Sequence, residues 1–229
     1  MSTVVAIDGP AGAGKSTVAR KLAARLGIAY INTGSLYRAL ALAAAEQSLD
    51  LNAPLPADFL AGQHLEFRGE TLFLNGRDPG NALRSAECAA NASMISKQPA
   101  VREFLLPVQR DAARKQWIVM EGRDIGTVIF PDAQIKFFVT ASLEERAKRR
   151  LAQQGEVAAG ADLASVITDI RRRDEQDSKR DTAPLRPAED AVMVDTTGST
   201  IEQVVALLAS RCHQAGVPDG GAPKTTEER

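Results

Sequence analysis

The hydrophobic pattern of the chain is a run of short apolar segments separated by helical repeats. Residues 3–8 are unbroken apolar and β-branched up to Asp8, as in a strand covered on both faces, and Gly9 ends the run. Apolar residues then recur at Val18, Leu22 and Leu26, which predicts a helix over residues 16–26 with Gly27 in the position that closes helices. Residues 28–32 read as a second strand, followed by Thr33-Gly34 and an alanine- and leucine-rich helix to about residue 45. Two strand–helix units in succession predict a parallel sheet. The texture changes over residues 51–81. Prolines stand at 54, 56 and 79, and the alternating segments 65–68 and 71–75 flank Gly69-Glu70, which predicts a small β-hairpin insertion. Helical patterns resume over 85–96 and 99–114, with Pro99 suited to a first helical position and Pro107 a site for a kink. Three more short apolar strands fall at 117–120, 135–139 and 191–195, giving five in the core. Between the last two, residues 142–185 hold a basic helix, the break Gln153-Gln154-Gly155 and a second charged helix, an arginine-rich excursion off the core. A closing helix spans about 200–213.

Length and composition narrow the picture. At 229 residues, 44% hydrophobic and 25% charged, the chain suits one α/β domain, taken as residues 1–215, with small appendages. Residues 216–229 are rich in Gly, Pro and charge and are expected to be a disordered tail. A formal net charge of −1 offers no broad positive field, so no nucleic-acid partner is expected and any anion recognition must be local. Cys88 and Cys212 lie far apart with no ligand rhythm around them and read as reduced thiols. With no signal-peptide pattern and no window of 18 unbroken apolar residues, the expectation is a cytoplasmic protein away from membranes, and a monomer is expected as well.

The strongest chemical signal is Gly9-Pro10-Ala11-Gly12-Ala13-Gly14-Lys15-Ser16, which matches GxxxxGK[ST] in full and sits between a predicted strand and a predicted helix. Glycines let successive backbone N–H groups turn inward as an anion nest, and the helix N-terminus adds positive potential. Lys15 supplies a mobile ammonium for the β- and γ-phosphates, Ser16 a ligand for Mg²⁺, and Thr17 continues the first helical turn. The pattern predicts ATP or GTP binding, without separating a kinase from an ATPase or a switch protein. The acceptor must be read from the other basic residues. Thr33 to Arg38, TGSLYR, follow the second strand at the carboxyl edge of the sheet, where ligands of open α/β folds bind. Glu121-Gly122-Arg123-Asp124 follow another strand at the same edge; Arg123 can grip a phosphate bidentately and Asp124 can accept from an amine or a hydroxyl. Arg146, Arg149 and Arg150 share one face of the basic helix, and Arg171, Arg172, Arg173, Asp177, Lys179 and Arg180 cluster on the next. Such helices are either solvated faces or, beside a phosphate loop, a lid whose arginines neutralise phosphoryl charge.

Taken together, the segments IDGPAGAGKST, TGSLYR, EGRDIGTVIFPDA, SLEERAKRR and RRRDEQDSKRDTAPL resemble the bacterial cytidylate kinases of the nucleoside monophosphate kinase group over nearly the whole chain. The resemblance implies the P-loop fold with a five-stranded parallel sheet. It also implies a monophosphate-binding region at about 33–114, including the insertion 51–81, and a lid at about 150–180. It implies ATP with Mg²⁺ as phosphoryl donor and CMP or dCMP as acceptor. In that likeness Ser93, Arg102 and Asp124 bind the base, Arg38, Arg123 and Arg180 the acceptor phosphate, and Arg173 and Asp177 the sugar. Thr33 and Tyr37 belong to the same acceptor site, and Lys15, Arg123, Arg149 and Arg150 act on the transferring group. Two positions depart from the family pattern: Asn32 and Glu121 both stand where aspartate is usual. His64 and His213 match no functional position.

Overall fold

The computed structural model of the protein describes residues 3–114, 116–153, 157 and 160–220. Five strands form one parallel sheet: β1 (Val4–Asp8), β2 (Ala29–Asn32), β5 (Ile118–Glu121), β6 (Ile135–Thr140) and β7 (Val192–Asp195), in the order β2-β5-β1-β6-β7. β1 is the middle strand, with Ile7 opposite Glu121 on one side and Phe137 on the other. Its apolar run has the physical cause read from the sequence. Val5 and Ile7 pack into one layer with α1 (Lys15–Leu26) and α8 (Ile201–Gln214), while Val4 and Ala6 face Ile31, Met120 and Ile125 on the opposite side. Each fully buried Ile, Leu or Phe of these layers is worth about 1.5–3 kcal/mol relative to exposure.

Local signals set the element ends. Gly27 takes φ 64° and its N–H closes α1 on Ala23 and Ala24 carbonyls. Thr200 caps α8 in a reciprocal pair with Gln203, and Asp162 does the same with Ser165 for α7 (Leu163–Ser178).

The elements between β2 and β5 pack on one another. α2 (Thr33–Glu46), α3 (Ala57–Ala61), α4 (Ala86–Ile95) and α5 (Pro99–Asp111) pack a second apolar cluster with the hairpin β3 (Leu65–Arg68) and β4 (Thr71–Leu74). The predicted hairpin is present. α3 and a 3₁₀ turn at Gly80–Arg84 accompany it, neither of them part of the hairpin reading; Phe59 and Leu60 of α3 are buried in the same cluster. α5 continues through Pro107. α6 (Leu143–Leu151) pairs with α7 around Ala147, Val166 and Ile170.

The expected tail boundary moves. Val217 is buried among the α1 and α8 side chains and the Gly220 N–H donates to the Leu26 carbonyl at 2.8 Å, so the chain stays on the core to residue 220. Residues 221–229, and Gln154-Gly155 of the expected lid break, lie outside the described residues. Among the described residues no helix is long and apolar enough to cross a membrane.

Candidate active site

Every core strand points its carboxyl end at the same edge, and the motif loops leave from there. The phosphate loop after β1 owes its path to close approaches that exclude side chains. Gly9 has φ 145°, and a Cβ there would lie 1.9 Å from the Val139 carbonyl oxygen. Gly12, at φ 75°, lies so close to α6 that a Cβ would come within 2.9 Å of the Arg146 carbonyl oxygen. Lys15 begins α1. The expected mobile ammonium is instead buried, 5% exposed, and its Nζ donates to the Pro10 carbonyl at 2.7 Å. Burial, joined by the nearby Arg123 charge, holds its pKa well below the usual lysine range, against the opposing pull of Glu121 and Asp8. Ser16 and Thr17 are exposed on the first turn of α1.

The loop after β5 is tied to β1. Asp8 is buried, and its two carboxylate oxygens accept the Ile125 and Gly126 N–H groups, each at 2.8 Å. Burial raises its pKa to about 6 despite those two hydrogen bonds. Gly122 leaves no space beside it: a Cβ would meet Ile125 and the Thr33 hydroxyl at 2.7 Å. Thr33 donates to the Glu121 carbonyl at 2.8 Å, which joins the start of α2 to the end of β5. The Glu121 departure has a visible partner. Its carboxylate accepts from the Tyr30 hydroxyl on the neighbouring strand, and Arg20 lies 5.1 Å over the Tyr30 ring. On the open side of β2, the Tyr30 N–H donates at 2.9 Å to Glu70, in the turn of the hairpin insertion, so the insertion is latched to the sheet edge.

These loops surround one cavity of about 860 Å³. Residues 11–17 of the phosphate loop line it. So do Ser93 and the ion pair of Arg102 and Asp124, each side chain 8% exposed, with Tyr37 under the Arg102 guanidinium. Arg38, Arg123, Arg150, Arg173 and Arg180 with Asp177 complete the charged lining. Asp177 pairs with Arg123 at 3.1 Å and with Arg180 at 3.5 Å; although burial opposes it, Arg123, Arg180 and Arg173 hold its carboxyl below the usual range. Burial, then Arg123, lowers the Arg173 guanidinium to about 10. Arg38 donates to the Leu83 carbonyl at 2.7 Å.

The cavity therefore gathers residues separated by up to 169 positions of sequence, from Ala11 to Arg180. Gly9 and Pro10 do not line it; the Pro10 carbonyl accepts from Lys15. Arg149 is the exception among the expected phosphoryl-neutralising groups: its guanidinium is committed to Thr196, at 2.8 Å to the hydroxyl and 2.9 Å to the carbonyl, and to the Ala13 carbonyl at 3.3 Å. The reason is rotation about α6. Arg150 turns toward the cavity, whereas Arg149 turns toward β7 and the back of the loop. Motif reading missed Asp8, Arg20, Tyr30, Glu70 and Thr196; Arg146, among the arginines read as facing phosphate, bonds the back of the loop at the Ala11 carbonyl instead. Asp8, an acid closing an otherwise apolar strand just before the loop, carried a signal; Glu70 in a hairpin turn carried none.

A P-loop sharing one arginine-lined cavity on a five-stranded parallel sheet defines the class of P-loop kinases acting on small acceptors. A family model described as cytidylate kinase matches residues 5–214. The chain is 45% identical over 201 residues to the cytidylate kinase of Thermosipho melanesiensis, covering 88% of this chain and 92% of that relative. It is 43% identical over 222 residues to that of Pseudomonas paraeruginosa, covering 93% and 96%. The chain belongs to the cytidylate kinase family. A crystal structure of an uncharacterized protein from Eubacterium ventriosum, 12% identical, matches with a TM-score of 0.54 over 92% of this chain and 98% of that one, a likeness of fold.

Proposed function

We propose that the protein is a cytidylate kinase, transferring the γ-phosphate of ATP to CMP, and to dCMP, to give CDP and ADP. The observation that carries this reading is the single cavity lined both by the phosphate loop and by the Arg102–Asp124 pair with Ser93.

The loop's inward N–H groups and Lys15 hold the donor phosphates. Lys15 leaves the Pro10 carbonyl for the β- and γ-oxygens, an exchange favoured because a buried ammonium gains an anionic partner. Arg38, Arg123 and Arg180 hold the acceptor phosphate, and Arg173 with Asp177 the sugar side. Thr33 and Tyr37 form the wall between β2 and the acceptor. The base lies against Ser93, Arg102 and Asp124. Cytosine offers an amine donor and an unprotonated ring nitrogen, which match the acceptor Asp124 and the donor Arg102; uracil reverses both.

The residues fit Mg²⁺ brought in with the nucleotide. The Ser16 hydroxyl opens onto the cavity, and the described residues hold no cluster of three or more His, Cys, Asp or Glu that would cage an ion by themselves. Ser16 would hold the ion, which would supply positive charge to offset that of the donor phosphates. No general base is needed, because the attacking group is already a phosphate oxygen. The chain's own part is alignment and neutralisation by Lys15, Arg123 and Arg150.

ADP release measured with and without CMP, and with UMP and dCMP in its place, tests the reading. Turnover that requires CMP supports it. Slow ATP turnover indifferent to any small acceptor would make the protein a nucleotide-dependent switch instead, and turnover dependent on a different acceptor would reassign the substrate.

A further inference from the structure

In a phosphate-cradling loop the N–H groups face inward only when the peptide planes turn their carbonyls outward. An outward carbonyl that is buried against protein then needs a donor. Here two donors come from one helix, joined at Ala13 by the Thr196 hydroxyl at 3.4 Å. Arg146 Nη1 donates to the Ala11 carbonyl at 3.1 Å and Arg149 Nη1 to the Ala13 carbonyl at 3.3 Å. The two arginines are three residues apart, on one face of α6, and the two carbonyls are alternate positions of the loop.

Each guanidinium is held from behind. Arg146 also bonds the Ala141 carbonyl at 3.1 Å and Asp174 of α7 at 2.6 Å. Arg149 is fixed by Glu145 at 3.0 Å and by the hydroxyl and carbonyl of Thr196. The Thr196 hydroxyl in turn lies 3.0 Å from the Thr140 carbonyl and 3.4 Å from that of Ala13. Loop and helix are in van der Waals contact at Gly12, where even a methyl group has no room. The loop is therefore gripped from outside at two peptides by groups that are themselves immobilised.

We propose that Arg146 and Arg149 are positioning residues that hold the phosphate loop's peptides in the orientation that receives phosphate, with Thr196 orienting Arg149. Their part in the reaction is then donor binding, and neutralising the transferred phosphoryl falls to other groups. The proposal rests on the reading of residues 9–17 as the site of the ATP phosphates.

Equilibrium binding of ATP and of inorganic tripolyphosphate, which has neither base nor sugar, to the full chain tests it alongside steady-state kinetics. Arg149→Ala is expected to weaken both ligands in parallel by about tenfold, the usual worth of a charged hydrogen bond, and to raise KM for ATP. At saturating ATP its kcat stays within about twofold of wild type. Arg149→Lys restores part of the affinity. Thr196→Val removes the hydroxyl from Arg149 without changing any charge, and is expected to weaken both ligands by about threefold, as loss of one neutral contact does.

A fall in kcat with ATP binding unchanged would place Arg149 on the transferring group and overturn the proposal. Weakened ATP with unchanged tripolyphosphate would assign it to the base, with the same result. Wild-type affinities in Thr196→Val beside a weakened Arg149→Ala would reduce the effect to charge alone. Wild-type protein that binds neither ligand would refute the reading of the loop itself; wild-type protein that binds both, with every variant equal to it, refutes only the bracing.

Discussion

Asp124 and Arg102 are buried together, and that decides how base recognition is probed. Removing the carboxylate side chain would strand a buried guanidinium, a loss of about 3–5 kcal/mol that would mask any effect on specificity. Asp124→Asn keeps the shape and offers either an oxygen or an amide to the base. It is expected to shrink the CMP-over-UMP ratio of kcat/KM by about ten- to a hundredfold, mostly through loss on CMP. An unchanged ratio would mean that Asp124 does not read the base. Lys15→Met is expected to lower turnover by about a hundredfold or more, as loss of a preorganised charge-stabilising donor does, with an unfolding midpoint no lower than wild type, since burial already disfavours that ammonium. Asp8 adds a pH dependence. Its folded pKa of about 6 lies above the ordinary value of 3.8, so the folded state favours the protonated form. Its contribution to stability is complete below pH 3.8 and is lost as the pH rises through 6. Urea unfolding of wild type and Asp8→Asn at several pH values is therefore expected to show wild type losing about 2 kcal/mol relative to the variant between pH 4 and 7. A difference independent of pH would contradict the raised pKa.

The helices α6 and α7 illustrate what an element's sequence leaves open. Their charged helical pattern is local, so their existence was legible, as was their place beside the phosphate loop. Asp162 caps α7 by accepting from the Ser165 N–H at 2.8 Å, and Asp162→Ala is expected to lower the unfolding midpoint, measurable by thermal denaturation. Which way each arginine faces was not legible. Arg146, Arg149 and Arg150 are equivalent in composition and all three fit a phosphate-facing stripe, yet only the packing of Ala147 against Val166 and Ile170 fixes the rotation of α6. That rotation sends Arg150 into the cavity and Arg149 to Thr196. Arg150→Ala is accordingly expected to lower kcat more than it weakens CMP binding, which single-turnover transfer beside a CMP titration measures.

On the scale of the whole molecule, the proposed nucleotide site is lined by residues from Ala11 to Arg180, so ligands should stabilise the entire fold. CMP at a hundred times its dissociation constant is expected to add about 2.7 kcal/mol to unfolding, and UMP at the same concentration less, measurable as a rise in thermal midpoint. Much of this architecture was written in short-range pattern. The five strands, the helix after the phosphate loop and the hairpin of the insertion follow from runs of apolar residues and glycine turns, which depend on neighbours a few positions away. The phosphate loop itself was legible because its chemistry is carried by consecutive residues whose backbone conformation glycine permits. Family likeness, not periodicity, supplied Ser93, Arg102 and Asp124 as base contacts. What the sequence could not determine depends on groups brought together from far apart. Burial turns Lys15 back onto Pro10 and raises Asp8; the open edge of β2 takes Glu70 from the insertion; and Val217 stays on the core because α1 and α8 leave a buried space for it. Local pattern determines which elements form, because hydrogen bonding and apolar periodicity act within a few residues. Desolvation and partner choice are properties of the assembled interior, and only the tertiary structure decides them.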